Sequence, residues 1–485
     1  MTAETAAAIA VNRFGLGARP GELARISAPA DWLKQQIQAP PLLQDAALRS
    51  SREIMAGAAE LAKDTRDPGR EGREELRNQS AGADSAAAQQ ARLQLVANRL
   101  PRYYRPVYVA DAAARLRQAV ASDNPFAERL VQFWSNHFAV SIDKVAVLGL
   151  AGAMEREAIR PNVTGKFGDL LLAVEKHSAM QLFLDNQLSI GPDSELAQRA
   201  GRQLGQRRRQ LGLNENLARE ILELHTLGVD GGYTQADVTS FAKVITGWSI
   251  GGLRQLPARL GDGAQPGVFI FRPMLHEPGA QTLLGKRYTQ GGVAQGEAVL
   301  KDLAASPKTA RHLATKLARH FVADDPPDAM VTRLSSAYLK SGGDLPSVYR
   351  ALIDSPEAWI AGSAKYKTPN DYVISIHRGL DFPVPDGQQS LASLNLLGQQ
   401  QFLPGSPAGW PDKSADWDGS AALMKRIGFA NTVAQRLGNV RDASALGPQL
   451  LGATLSAATR EAIARAESGA QALTLLLTAP EFLRR

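Results

Sequence analysis

The sequence predicts a mostly α protein, a large multi-helix globular unit with one small β-hairpin excursion near 267–290. Three observations carry this. Apolar residues recur at three-and-four spacing in segment after segment, period-two runs of β-branched residues are almost absent, and the composition is that of an ordinary globular chain. The 485 residues are 44% hydrophobic and 21% charged, with 43 Gly, 27 Pro and no Cys, which sets aside collagen-like, coiled-coil and wholly disordered chains. A chain of this length buries a large core without a metal or disulfide staple. The absence of cysteine excludes disulfides, thiolate metal sites, iron–sulfur clusters and a cysteine nucleophile. A net charge of +7 is small for this size, so nucleic acid is not an expected partner.

In chain order, residues 1–17 (MTAETAAAIAVNRFGLG) lack the basic start and long apolar centre of a secretory signal. No run of about 18 apolar residues follows anywhere, so no transmembrane segment is expected. The expected location is cytoplasmic, with the periplasm open by co-export alongside a partner. Helical periodicity runs through 100–116, 125–140, 150–159, 170–184, 214–227, 235–246, 295–304, 309–321, 328–341 and 345–354. The β excursion is the segment GVFIFR at 267–272 followed by 282–288. A charge-dense stretch with Pro68, Gly69 and Gly72 makes 63–90 an expected mobile insertion. Residues 191–212, with Arg199, Arg202, Arg207, Arg208 and Arg209 among Gly and Gln, are expected to form a second one. Those arginines would suit an anionic polymer, but no aromatics are interleaved with them, and a solvated surface is the stronger reading.

The segment NENLAREILELHTLG at 214–228 has Asn214 as an N-cap and Gly228 as a stop. On an α-helical wheel Leu217, Ala218, Ile221, Leu222 and Leu224 form one apolar arc that includes His225, with Asn216, Arg219, Glu223 and Thr226 opposite. Glu220, at the border, points about 140° away from His225, so the two cannot chelate one ion as an i,i+4 pair would. One reading is an amphipathic helix with an Arg219–Glu223 ion pair and a hydrogen-bonded core histidine. The other has Glu220, Glu223 and His225 facing a polar cavity. Beyond it, Asp230-Gly231-Gly232 makes a turn, and Thr234 with Asp237 makes a capping box rather than a calcium loop.

The FWSNHF segment at 133–138 sets Trp134 and Phe138 four apart, with Asn136 and His137 in bulky company that obliges them to find partners. His276 falls on a loop. His312 and His320 share one helix with Lys316 and Arg319 and read as surface or boundary residues, while His177 and His377 have no suggestive neighbours. There is no GxSxG elbow, no Walker loop and no GxGxxG. Acid–base or metal chemistry built from His and Glu remains, or no chemistry.

These motifs, in this order, resemble the bacterial family known as domain of unknown function 1800. The resemblance rests on residues 8–22 (with Asn12 and Arg13), FWSNHF at 133–138, the long motif at 214–238, TGW at 246–248, His276 with LGKRY at 284–288, KYKTPNDYV at 365–373 and GSPAGWPD at 405–412. It runs nearly end to end, and Glu277 stands where the family often has Asp. The resemblance implies no activity. It implies a gene often paired with an exported protein similar to alkaline phosphatases and sulfatases, and it marks Asn136, His137, Arg219, Glu220, Glu223, His225, His276 and Lys367 as characteristic.

Because the motif pieces run from residue 12 to residue 412, a single helical domain over 1–485 is expected, with the pieces converging in one core. The leading expectation is an enzyme of hydrolase type. His137, His225 and His276, with Glu220 or Glu223, would hold a divalent metal (zinc, iron or manganese) that activates water. Without a metal, Glu220 or Glu223 would do general acid–base work with a histidine as partner, and Arg219, Asn136 and Lys367 complete the expected catalytic set. The alternative is a non-catalytic helical partner of the exported phosphatase- or sulfatase-like protein, its motif residues forming an internal hydrogen-bond network.

Overall fold

The computed structural model describes residues 1–64, 85–203, 212–252, 264–362 and 365–485. Among the described residues helices dominate, and the strands make two separate two-stranded antiparallel sheets. One apolar core gathers around the Pro125–His137 helix, where Phe126, Trp134 and Phe138 are buried with Phe14, Phe167, Phe321 and Tyr349. A second surrounds Pro369–Gly379, where Tyr372, Val373 and Ile376 meet Leu446, Leu450, Leu473, Leu476 and Leu477. Trp32 packs against both.

The helices follow the expected periodicity with shifted ends. The 100–116 segment belongs to a longer helix, Ser85–Ala121, that accommodates Pro101 and Pro106. The 170–184 segment divides into Phe167–Glu175 and Ser178–Phe183, because the backbone N–H of Ala179 turns to His177 Nδ1 at 3.1 Å. Thr234 and Asp237 form the full capping box, Gly228 stops its helix at φ 88°, and the Trp134 and Phe138 rings stack at 6.0 Å.

The β excursion pairs differently from its sequence order. Strand β1 (Trp248–Ile250) lies upstream and pairs with β2 (Phe269–Phe271). The hairpin is made by β3 (Gln281–Leu283) and β4 (Lys286–Tyr288), with Leu284 and Gly285 both at positive φ. Most of the expected 63–90 insertion, residues 65–84, lies outside the described residues. In 191–212, Glu195–Gln203 is helical, and 204–211, which holds Arg207, Arg208 and Arg209, lies outside them. Among the described residues no helix is long and apolar enough to cross a membrane.

Among the described residues three helices widen into π turns, at Ala10–Phe14, Glu155–Ile159 and Ile221–Thr226. Each adds a residue to the turn and so rotates the following side chains out of α phase. Each delivers a charged or titratable side chain to the interior: Arg13, Glu155 and His225. The third revises the helical wheel of 214–228. Leu227 N–H donates to Leu222 O at 3.0 Å and the Thr226 hydroxyl to Ile221 O at 2.6 Å, both five residues back. Thr226, expected on the polar face, is fully buried as a result.

Candidate functional site

The FWSNHF helix is the frame of the interior. Its apolar face fixes it in the core, and its last turn points His137 into a shell of Phe133, Trp134, Phe138 and Phe167. His137 is 1% exposed. Its Nε2–H donates to the carbonyl of His225 at 3.1 Å, which leaves Nδ1 without a partner. The His225 and His312 rings stand 6.1 and 6.3 Å away. His225 donates from Nδ1 to Glu175 Oε1 at 2.8 Å, a pair sealed from solvent on both sides, and His312 donates from Nε2 to Leu224 O at 3.2 Å. Burial first, then Lys316 and the neighbouring histidines, holds His137 far below the usual imidazole range. Burial and Lys316 take His312 down to about 4. The His137 and His312 rings are neutral near pH 7.

On the other face of the same helix lies a polar cavity of about 90 Å³. Three of the motifs, far apart in sequence, build its wall: Ser135 and Asn136 from the first, Thr368, Asn370 and Asp371 from the second, Trp410, Pro411 and Asp412 from the third. Gln132, Gln399, Gln400, Gln401 and His320 complete much of the rest. Asn136 anchors the Trp410 loop by accepting from Trp410 N–H at 2.7 Å and donating to Trp410 O at 2.9 Å. Gly409 sits at φ 83° over this clasp, and a Cβ there would fall 2.3 Å from the Asn136 carbonyl.

His320 reaches the cavity from Pro307–Phe321, the helix that also carries His312 and Lys316 at four-residue spacing. Its Nδ1–H donates to Asp412 Oδ1 at 3.1 Å, and its Nε2 has no partner among the described residues. Burial beside Phe133 and Phe321 lowers its pKa more than Asp412 restores it, and Arg485 and Arg129 add to the lowering. The ring is a neutral imidazole with an uncommitted lone pair. Asp412 is fastened from behind, its backbone carbonyl accepting from Lys365 Nζ, which also pairs with Asp324.

Behind the wall is a buried centre in which cations outnumber acids. Arg129 donates to Asp371 Oδ1 at 3.0 Å and to Gly15 O at 2.6 Å, while Arg485 Nε stands 3.1 Å from Asp371 Oδ2. Arg13 spends its guanidinium on the carbonyls of Ala358, Ile360 and Gly362. Arg426 stacks over Tyr366 with 4.4 Å to the ring centroid. Lys367 is 1% exposed, with its ammonium 4.4 Å from the centre of the Phe482 ring. Burial, opposed by Asp371 but reinforced by Arg129, Arg485 and Arg426, brings Lys367 down to about 7. Arg129 and Arg485 hold Asp371 ionised, well below the usual carboxylate range, despite its burial.

The remaining sequence candidates lie elsewhere. Arg219 pairs with Glu215 at 3.2 Å and Gln235 at 2.9 Å rather than with Glu223, because Glu215 precedes it by one helical turn and the π turn displaces Glu223. Glu223 accepts from the Tyr233 hydroxyl at 3.1 Å. Glu220 is half-buried, its pKa raised by burial and by Glu223. None of the three lines the cavity. His276 donates from Nδ1 to Thr246 O at 2.9 Å and packs on Phe271, fastening the TGW segment. Among the described residues no group of three or more His, Asp or Glu side chains is placed to hold a metal ion, so His137, His225 and His276 do not assemble the expected ligand set. Sequence reasoning missed Glu175, His320, Asp371, Asp412 and the 399–401 glutamines. For Asp371 and Asp412 the available signal was their place inside quoted motifs.

Fold and site together define a helical protein with a sealed histidine core on one side of its central helix and a polar cavity on the other. The chain belongs to the DUF1800 family, whose model, described as a protein of unknown function, matches residues 9–484. No curated protein and no solved structure matches it.

Proposed function

We propose that this protein is an enzyme performing acid–base chemistry of hydrolytic type at the cavity walled by Asn136, His320, Asp371 and Asp412. The observation that carries the reading is the His320–Asp412 pair. Nδ1–H is committed to the carboxylate at 3.1 Å, and Nε2, without a partner, is the available base. A neutral imidazole in this tautomer accepts a proton from water, and the adjacent carboxylate stabilises the imidazolium that forms. Asp371, kept ionised by Arg129 and Arg485, gives the cavity a second carboxylate. Asn136 is a positioning residue, since both of its amide atoms hold the Trp410 loop. Lys367, Arg129 and Arg485 act through Asp371.

The test is a panel of chromogenic esters, anilides and phosphoesters turned over by the wild type, His320→Gln and Asp412→Asn, with circular dichroism confirming the fold of each. Turnover of one class, reduced at least about 100-fold in His320→Gln, is expected, the scale on which a general base acts. Turnover of no class, or turnover indifferent to His320, overturns the proposal.

One observation favours the non-catalytic alternative for part of the molecule. His137, His225 and Glu175 spend their bonds on an internal chain sealed from solvent, as a packing network would. If the protein serves as the helical partner of an exported phosphatase- or sulfatase-like protein, the two co-purify, and His320→Gln leaves the complex intact.

A further inference from the structure

We infer that the cavity recognises a neutral carboxamide group, through the side-chain amide of Gln401. This rests on the reading of the cavity as the reaction site. Gln401 is 4% exposed and lines the cavity, yet neither its Nε2 nor its Oε1 has a partner among the described residues. Leaving a buried polar group unmatched is destabilising, so an amide with both ends open calls for a ligand or water that supplies a donor and an acceptor together.

The neighbouring groups decide which ligand. His320 Nε2 is an acceptor that also lacks a hydrogen-bond partner among the described residues, whereas Asp371 Oδ2 is occupied by the Arg485 guanidinium at 3.1 Å. A carboxylate ligand would leave Gln401 Oε1 without a donor and would face the charges of Asp371 and Asp412. An ammonium would satisfy Gln401 Oε1 but lie against the buried excess of Arg129, Arg485 and Arg426. An uncharged carboxamide offers a carbonyl to Gln401 Nε2 and an N–H to Gln401 Oε1, with no charge to desolvate. Size agrees. At roughly 15 Å³ for each ordered water, 90 Å³ holds about six water-sized groups, the bulk of a carboxamide with two or three carbons.

With water as co-reactant the chemistry closes. His320 Nε2 takes a proton from water as its oxygen bonds to the amide carbon. The carbon–nitrogen bond then breaks, the proton passes from His320 to the departing nitrogen, and a carboxylic acid and an amine, or ammonia, are released.

The experiment titrates propionamide, propionate and 1-propanol into the full-length protein by ligand-observed NMR and assays ammonia release in parallel. Propionamide is expected to bind at least tenfold more tightly than propionate or 1-propanol. Gln401→Leu should remove that preference, and Gln401→Glu, of the same shape, serves if the leucine variant does not fold. His320→Gln should release no ammonia. Equal binding of the three probes, or a preference that survives both Gln401 variants, overturns the inference and indicates water alone in the cavity. Propionamide selectivity without ammonia release by any variant keeps the inference and overturns the hydrolytic reading instead.

Discussion

Lys367→Met isolates the buried cation centre behind the cavity. Lys367 is 1% exposed, has no hydrogen-bond acceptor opposite its ammonium among the described residues, and titrates at about 7 instead of 10.5. The folded state therefore binds fewer protons than the unfolded state between pH 7 and 10.5, and stability rises with pH across that window. The gap of 3.5 pH units, at about 1.4 kcal/mol each, makes this one ammonium destabilising by about 5 kcal/mol below pH 7, with the penalty gone above pH 10.5. Methionine keeps the packing and removes the charge, at the loss of a cation–π contact worth roughly 1–2 kcal/mol. The variant should exceed the wild type by about 3 kcal/mol at pH 7 and converge with it towards pH 10. Guanidinium unfolding of both proteins at pH 7, 8, 9 and 10 measures the difference, in which other titrating groups cancel. Parallel pH profiles, or a methionine variant weaker than wild type at pH 7, would refute the reasoning and show that Lys367 is paired.

Other predictions concern the interior and the cavity clasp. His312, held neutral down to about pH 4, should contribute about 3 kcal/mol that is lost as pH falls from 6.5 to 4; in His312→Phe that part of the acid-unfolding slope should vanish. Glu175→Ala leaves buried His225 without its carboxylate, which should lower stability by about 3–5 kcal/mol in urea unfolding. Tyr349→Phe removes the hydroxyl that accepts from Trp134 Nε1 at 2.6 Å and donates to Val163 O at 2.9 Å. A loss of about 1–3 kcal/mol, with a shift in tryptophan emission, is expected. Gly409→Ala drives a Cβ into the Asn136 carbonyl and strains a positive φ. It should lower the melting temperature and abolish propionamide binding together.

The helical class was legible because amphipathic spacing is a local property, and the Thr234 capping box and Gly228 stop were legible for the same reason. The π turns were not. An inserted residue leaves no compositional mark, so a uniform 100° wheel misplaced Thr226 and the partner of Arg219. Pairing of β1 with β2 depends on a contact across the chain that periodicity does not encode. His320 read as a boundary residue because it lies at the edge of its helix's apolar face, and only Asp412, 92 residues away, gives it a role. The motifs did converge, but in separate places. Those holding Asn136, Asp371 and Asp412 wall the cavity, while those holding His225 and His276 make internal contacts.

The protonation state of His320 decides whether the cavity holds a base. Long-range 1H–15N correlation spectra of the seven histidines, with His320 assigned by its absence in His320→Gln, report tautomer and charge directly. A neutral His320 at pH 7, protonated on Nδ1 and titrating below 6.5, is the expected result. A ring that carries its proton on Nε2, or that is already imidazolium at pH 7, would leave no free lone pair on Nε2 and would contradict the assignment of this cavity as an acid–base site.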